Sequence, residues 1–60
     1  MPLPDFLDKR CEDFLRRSWG ETYRKGGADA VRREARRICY TPTEIEALLT
    51  WLRDEVAADA

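Results

Sequence analysis

Sixty residues, 43% of them apolar and 38% charged, describe one small folded domain over residues 1–60, and the lack of any histidine excludes a Cys/His zinc site. The formal net charge is −1, but it is split: residues 22–40 carry +4, residues 41–60 carry −4 and residues 1–21 carry −1. No apolar run approaches the ~20 residues that span a bilayer. The N-terminal stretch lacks the basic start and apolar centre of a signal peptide, so a cytoplasmic protein with reduced thiols is expected.

The first helix is predicted over about residues 4–25. Pro4 suits a first helical position, and Asp5 and Asp8 sit near the positive end of the helix dipole. Leu7, Cys11, Phe14, Leu15, Ser18 and Thr22 fall on one stripe at ~100° per residue. Phe6 lies beside this stripe, and Trp19 and Tyr23 widen it. Gly20 is a weak point inside the helix, where it costs about 1 kcal/mol relative to Ala. Gly26 and Gly27 then mark a turn.

A second helix is predicted over about residues 28–39, with Asp29 as its N-cap. Ala28, Val31, Ala35, Ile38 and Cys39 share one face, small enough to let a neighbouring helix approach closely, while Arg32, Arg33, Arg36 and Arg37 cover the opposite half. The third helix, about residues 42–57, carries the clearest start signal. Thr41, Pro42 and Glu44 spell a capping box, and Tyr40 and Ile45 have the spacing of a hydrophobic staple. Ile45, Leu48, Leu49, Leu52 and Val56 form its apolar stripe, and Ala57 to Ala60 are expected to fray. No segment alternates with period two. The expected fold is therefore all-α, a small antiparallel three-helix bundle, with homodimerisation as a second way to complete the core.

Three groups of residues stand out for function. Arg32/Arg36 and Arg33/Arg37 are like-charge pairs one turn apart, which is unfavourable unless something offsets it. The acidic third helix is one candidate. An anionic or acidic partner, contacted also by Arg24 and Lys25, is the other. Trp51 lies about 120° from the centre of the third helix's stripe, so with Trp19 and Tyr23 it is a candidate anchor for a protein partner, unless a wide core or a fold-back of Leu3-Pro4 covers it. Cys11 and Cys39 both fall on predicted core faces. Buried, inert thiols are expected there, although a fold-back at Gly26-Gly27 would bring the two within about one turn of each other.

A helix-turn-helix DNA reader is disfavoured, since Glu44 and Glu46 would point at the duplex. Catalysis lacks a histidine base, a phosphate-binding glycine loop and a deep pocket, so no enzyme activity and no cofactor are expected. The expected function is a helical protein–protein interaction protein, an adaptor, inhibitor or regulator that docks a helix face and self-associates. Nucleic-acid binding through phosphate contacts of the arginine-rich helix is the alternative.

Overall fold

The computed structural model describes residues 3–59, with side chains described through Glu55; the predicted roles of Val56 and of Ala57 to Ala60 lie outside the described side chains. The described residues are helical and contain no strand. A single 3-10 turn, Lys9–Cys11, leads into α1, Glu12–Arg37, which packs against α2, Pro42–Asp59. The expected bundle of three separate helices is thus corrected to two helices.

The first of these is sharply bent. A straight 26-residue helix would be about 39 Å long, whereas the longest dimension of the molecule is 28 Å. The bend falls at Gly27, whose φ of 71° and ψ of −166° lie in a region essentially reserved for glycine. One limb of α1 precedes Gly27 and the other follows it. Gly20, the predicted weak point, sits inside continuous helix and does not bend it.

The start of α1 also differs from expectation. Pro4 opens a turn, its carbonyl accepting from Leu7 N–H at 3.1 Å, rather than a helix. Asp8 is extended, and its carboxylate accepts from Arg10 N–H at 3.0 Å. This local hydrogen bond competes with helix formation and defers α1 to Glu12. The deferred start lets residues 3–7 fold back, burying Leu7 and packing Leu3 and Phe6 against the core.

The other helix ends follow their sequence signals. Thr41 N–H donates to Glu44 Oε1 at 2.9 Å and Glu44 N–H donates to Thr41 Oγ1 at 3.2 Å, a complete capping box. At the end of α1, Tyr40 N–H donates to Ala35 O and Cys39 N–H to Arg36 O, both at 3.0 Å. This is a Schellman arrangement, with Cys39 at φ 69° in the left-handed position that glycine usually fills.

The core consists of Leu7, Trp19, Val31, Ala35, Ile45, Leu48, Leu49, Trp51 and Leu52. On α2 the buried positions cover an arc of about 160°, wider than the ~100° stripe that one flanking helix needs. The two limbs of α1 and the folded-back N-terminal segment together provide that wider cover.

Candidate functional site

The predicted aromatic anchors belong to this core. Trp51 is fully buried and Trp19 is 8% exposed, while Tyr23 is half-buried against the same cluster. Burial takes Trp51 off any partner-facing surface. Its Nε1–H has no hydrogen-bond acceptor among the described residues, so apolar bulk rather than a polar contact holds the indole inside.

The outward-facing apolar residues are ones the sequence pattern had assigned to the interior. Phe14 is 70% exposed and Ile38 is 52% exposed. Cys11 and Cys39 are exposed free thiols, not buried ones. On the first limb the explanation is a rotation by about one residue, or ~100°. Leu15, Trp19, Gly20 and Tyr23 face inward, and Phe14, Ser18 and Thr22 turn away from the centre. Two large aromatic rings bury far more apolar area than Ser18 and Thr22 could, so they set the rotation. At the other end, Ile38 is the C-cap of α1, and Cys39 lies one residue beyond it in a left-handed turn that carries its own side chain off the helix face.

Between the limbs of α1 runs an open groove of about 520 Å³. Ser18, Thr22, Gly26 and Ala30 keep it shallow-walled, Trp19 lines it, and Ile38 stands at one edge. Phe14 lies one turn before Ser18 on the same side of the first limb. A β-carbon on Gly26 would collide with the Ala30 side chain, so bare backbone is needed where the limbs meet. Lys25, Arg33 and Glu34 supply the groove's charges.

Most of these charges are paired within the chain. Lys25 Nζ is 2.7 Å from Glu21 Oε1, and Arg37 Nη1 is 3.7 Å from Glu34 Oε2. The Lys25 hydrogen bond lowers the Glu21 carboxyl below its usual range, and Glu21 in turn raises the Lys25 amine. Arg32 reaches across to α2, with Nη1 3.4 Å from Glu46 Oε1. This bridge partly realises the expected neutralisation of the arginine helix by the acidic one. A second link joins the first limb to α2: Arg16 Nε is 3.1 Å from Glu55 Oε2, close enough to pair but not aligned as a hydrogen bond. Arg33 and Arg36 are exposed and make no ion pair among the described residues, and Arg24 has an interaction of its own.

A smaller hollow of about 170 Å³, lined by Arg32, Arg36, Tyr40, Pro42, Ile45 and Glu46, lies where the second limb meets the start of α2. Glu46 already occupies its cationic side through Arg32. Among the described residues no group of three or more Cys, Asp or Glu side chains is placed to hold a metal ion, and no helix is long and apolar enough to cross a membrane. No protein-family model, no curated protein and no solved structure matches this chain.

Proposed function

We propose that this chain is a small protein–protein interaction module that docks through the groove face of α1. The observation that carries this reading is the pairing of an open groove with two exposed apolar side chains, Phe14 and Ile38, on a domain whose core is otherwise closed. Exposed apolar surface rimmed by polar residues is characteristic of binding faces. The anchors are Phe14 and Ile38, replacing Trp51, Trp19 and Tyr23 in that role. The neighbouring arginines then contribute encounter rate and orientation more than affinity.

The test is site-specific photo-crosslinking in the native cell, with a benzophenone amino acid at position 14 and, as control, at the exposed position 50 of α2. A discrete protein adduct from position 14 and none from position 50 is expected. Equal yields from both positions, or no protein adduct at all, would overturn the reading.

A second reading has its own observation. Arg33 and Arg36 are exposed without an ion pair among the described residues, and with Arg32 and Arg37 they form an arc beside the groove. That arc suits phosphate contacts of a nucleic acid, with steep salt dependence and little sequence preference. Binding to duplex DNA or single-stranded RNA that weakens with salt, and vanishes when all four arginines become glutamine, would favour it over docking.

A further inference from the structure

We infer that the α1 groove receives an acidic segment of another protein, one that seats a large apolar side chain beside Phe14 and Ile38 and turns carboxylates to Arg33 and Arg36. The inference rests on reading that face as a docking surface and names the chemistry of its partner.

Charge complementarity selects the occupant. The groove lining holds two cations, Lys25 and Arg33, against one anion, Glu34. Pairing within the chain uses up most of the charge in and around it. Lys25 is held by Glu21 at 2.7 Å, Glu34 is taken by Arg37 at 3.7 Å, and Arg32 reaches Glu46 at 3.4 Å. Arg33 and Arg36 are exposed and keep no ion pair among the described residues. They are neighbours three residues apart on one limb, and Arg37 follows Arg33 by one turn. Like charges at such spacings repel. Carboxylates brought from outside would relieve that repulsion.

The apolar part of the face fixes the rest of the partner's chemistry. Arg33 lines the groove itself, so a carboxylate that meets it stands next to the recess. Ser18, Thr22, Gly26 and Ala30 leave that recess open, and Phe14 and Ile38 expose apolar surface beside it. A partner that satisfies both features carries its carboxylates within a few residues of an apolar anchor. A second copy of this chain fits worse, because the two arginine arcs would oppose each other. A nucleic acid also fits worse. Its closely spaced phosphates would run past Glu34 and Glu21, and the recess would gain no apolar side chain. The arginines then govern encounter and register, and the apolar anchor governs residence.

A random peptide library displayed on phage and panned against the folded protein supplies the probes. Selected peptides are expected to combine Asp or Glu with a large apolar residue a few positions away. Fluorescence anisotropy then measures each peptide on the wild type and on variants verified by circular dichroism. Phe14→Ala removes one apolar neighbour and Ala30→Leu fills the recess. Each is expected to raise Kd roughly thirtyfold or more, the effect of losing a hot-spot contact. Arg33→Gln combined with Arg36→Gln is expected to slow association by about tenfold and to flatten its salt dependence. Amides in place of the peptide's carboxylates should do the same on the wild type, whereas Thr50→Ala on α2 should change nothing.

Selected peptides that need the groove but carry no acidic residue would overturn the acidic partner and leave the docking reading standing. Peptides that bind equally well after Phe14→Ala and Ala30→Leu, or a library that yields none, would overturn the inference; the docking reading then stands or falls on the adduct from position 14. Duplex DNA or single-stranded RNA that binds more tightly than any selected peptide at the same salt, and is indifferent to Phe14→Ala, would assign the arginines to phosphates and overturn it too.

Discussion

The two sides of α1 are built from similar residue types but serve opposite ends. Facing α2, Trp19, Val31 and Ala35 close with Leu48, Leu49, Trp51 and Leu52 into a sealed seam. Facing away, Phe14 and Ile38 flank a groove walled by Ser18, Thr22, Gly26 and Ala30. The seam sets the large side chains of α2 and Trp19 against the small Val31 and Ala35, so each surface fills the space left by the other. The groove has Ser18, Thr22, Gly26 and Ala30 along it, with Trp19, Ile38 and the charged Lys25, Arg33 and Glu34 also in its lining, and it stays open. Apolar content alone does not separate a core from an open groove; the placement of bulk does.

Truncating one aromatic on each side of α1 separates the seam from the groove most clearly. Trp51→Ala is expected to cost about 3–5 kcal/mol, the range for emptying a buried aromatic site. A 60-residue domain has roughly 3–9 kcal/mol in total, so the variant should lose cooperative thermal unfolding. Phe14→Ala should change stability by only about 0.5 kcal/mol, as exposed positions do. Dilute urea titrations of both variants measure the difference. Equal losses would place Phe14 in the seam.

Gly27 holds the two sides apart, because its backbone turn gives α1 its limbs. At φ 71° and ψ −166° any side chain is strained even though space around the α-carbon is open. Gly27→Ala should therefore cost about 1–3 kcal/mol. Gly20→Ala, also with open space but inside regular helix, should instead stabilise by up to about 1 kcal/mol. If both changes act with the same sign, the bend is not set at Gly27.

The sequence reading succeeds and fails along the same physical line. Signals carried by a few neighbouring residues are legible: the Thr41–Glu44 capping box and the stripe Ile45, Leu48, Leu49, Leu52 appear as expected, whereas Gly26-Gly27, expected to separate two helices, marks a bend within one. Signals that depend on which of two faces wins a competition are not legible. On the first limb the stripe through Phe14, Ser18 and Thr22 and the face through Leu15, Trp19 and Tyr23 overlap. Only the area gained by burying two aromatic rings decides between them. Trp51 lies about 120° from the centre of its helix's apolar stripe, which leaves it between an exposed anchor and a residue covered by a wide core or a folded-back Leu3-Pro4; the bend of α1 and the folded-back segment decide for burial. The exposure of Phe14 and Ile38 is not legible for the same reason.

A smaller effect is expected where the seam side of α1 ends. Cys39 occupies a left-handed position that costs an ordinary residue about 1–2 kcal/mol, while glycine adopts it freely but loses more backbone entropy on folding. The net expectation for Cys39→Gly is a gain of about 1 kcal/mol, or roughly 4–8 °C in Tm for a domain of this size. The thiol is exposed and free, so no packing contact or disulfide offsets the gain. A loss of stability would mean that Cys39 packs in a way its exposure does not indicate.

The smallest expected effect concerns Tyr40, which ties the folded-back segment to the seam. Its ring meets Phe6 edge-on at 5.2 Å and Trp19 at 6.2 Å. Burial, and then the nearby Glu44 carboxylate, raise its phenol above the ordinary value of about 10. Above that value the unfolded chain has released this proton while the folded chain still holds it. The stability Tyr40 contributes is thus fully present below about pH 10 and is lost as pH rises through the raised value. Lys25, raised by Glu21, acts in the same alkaline window with the same sign, but it is exposed and solvent screens its contribution. Tyr40→Phe separates the two: urea midpoints at about pH 8 and pH 11 should differ less for the variant than for the wild type. An unchanged difference would assign the alkaline loss to the lysine at the groove instead of the tyrosine at the seam.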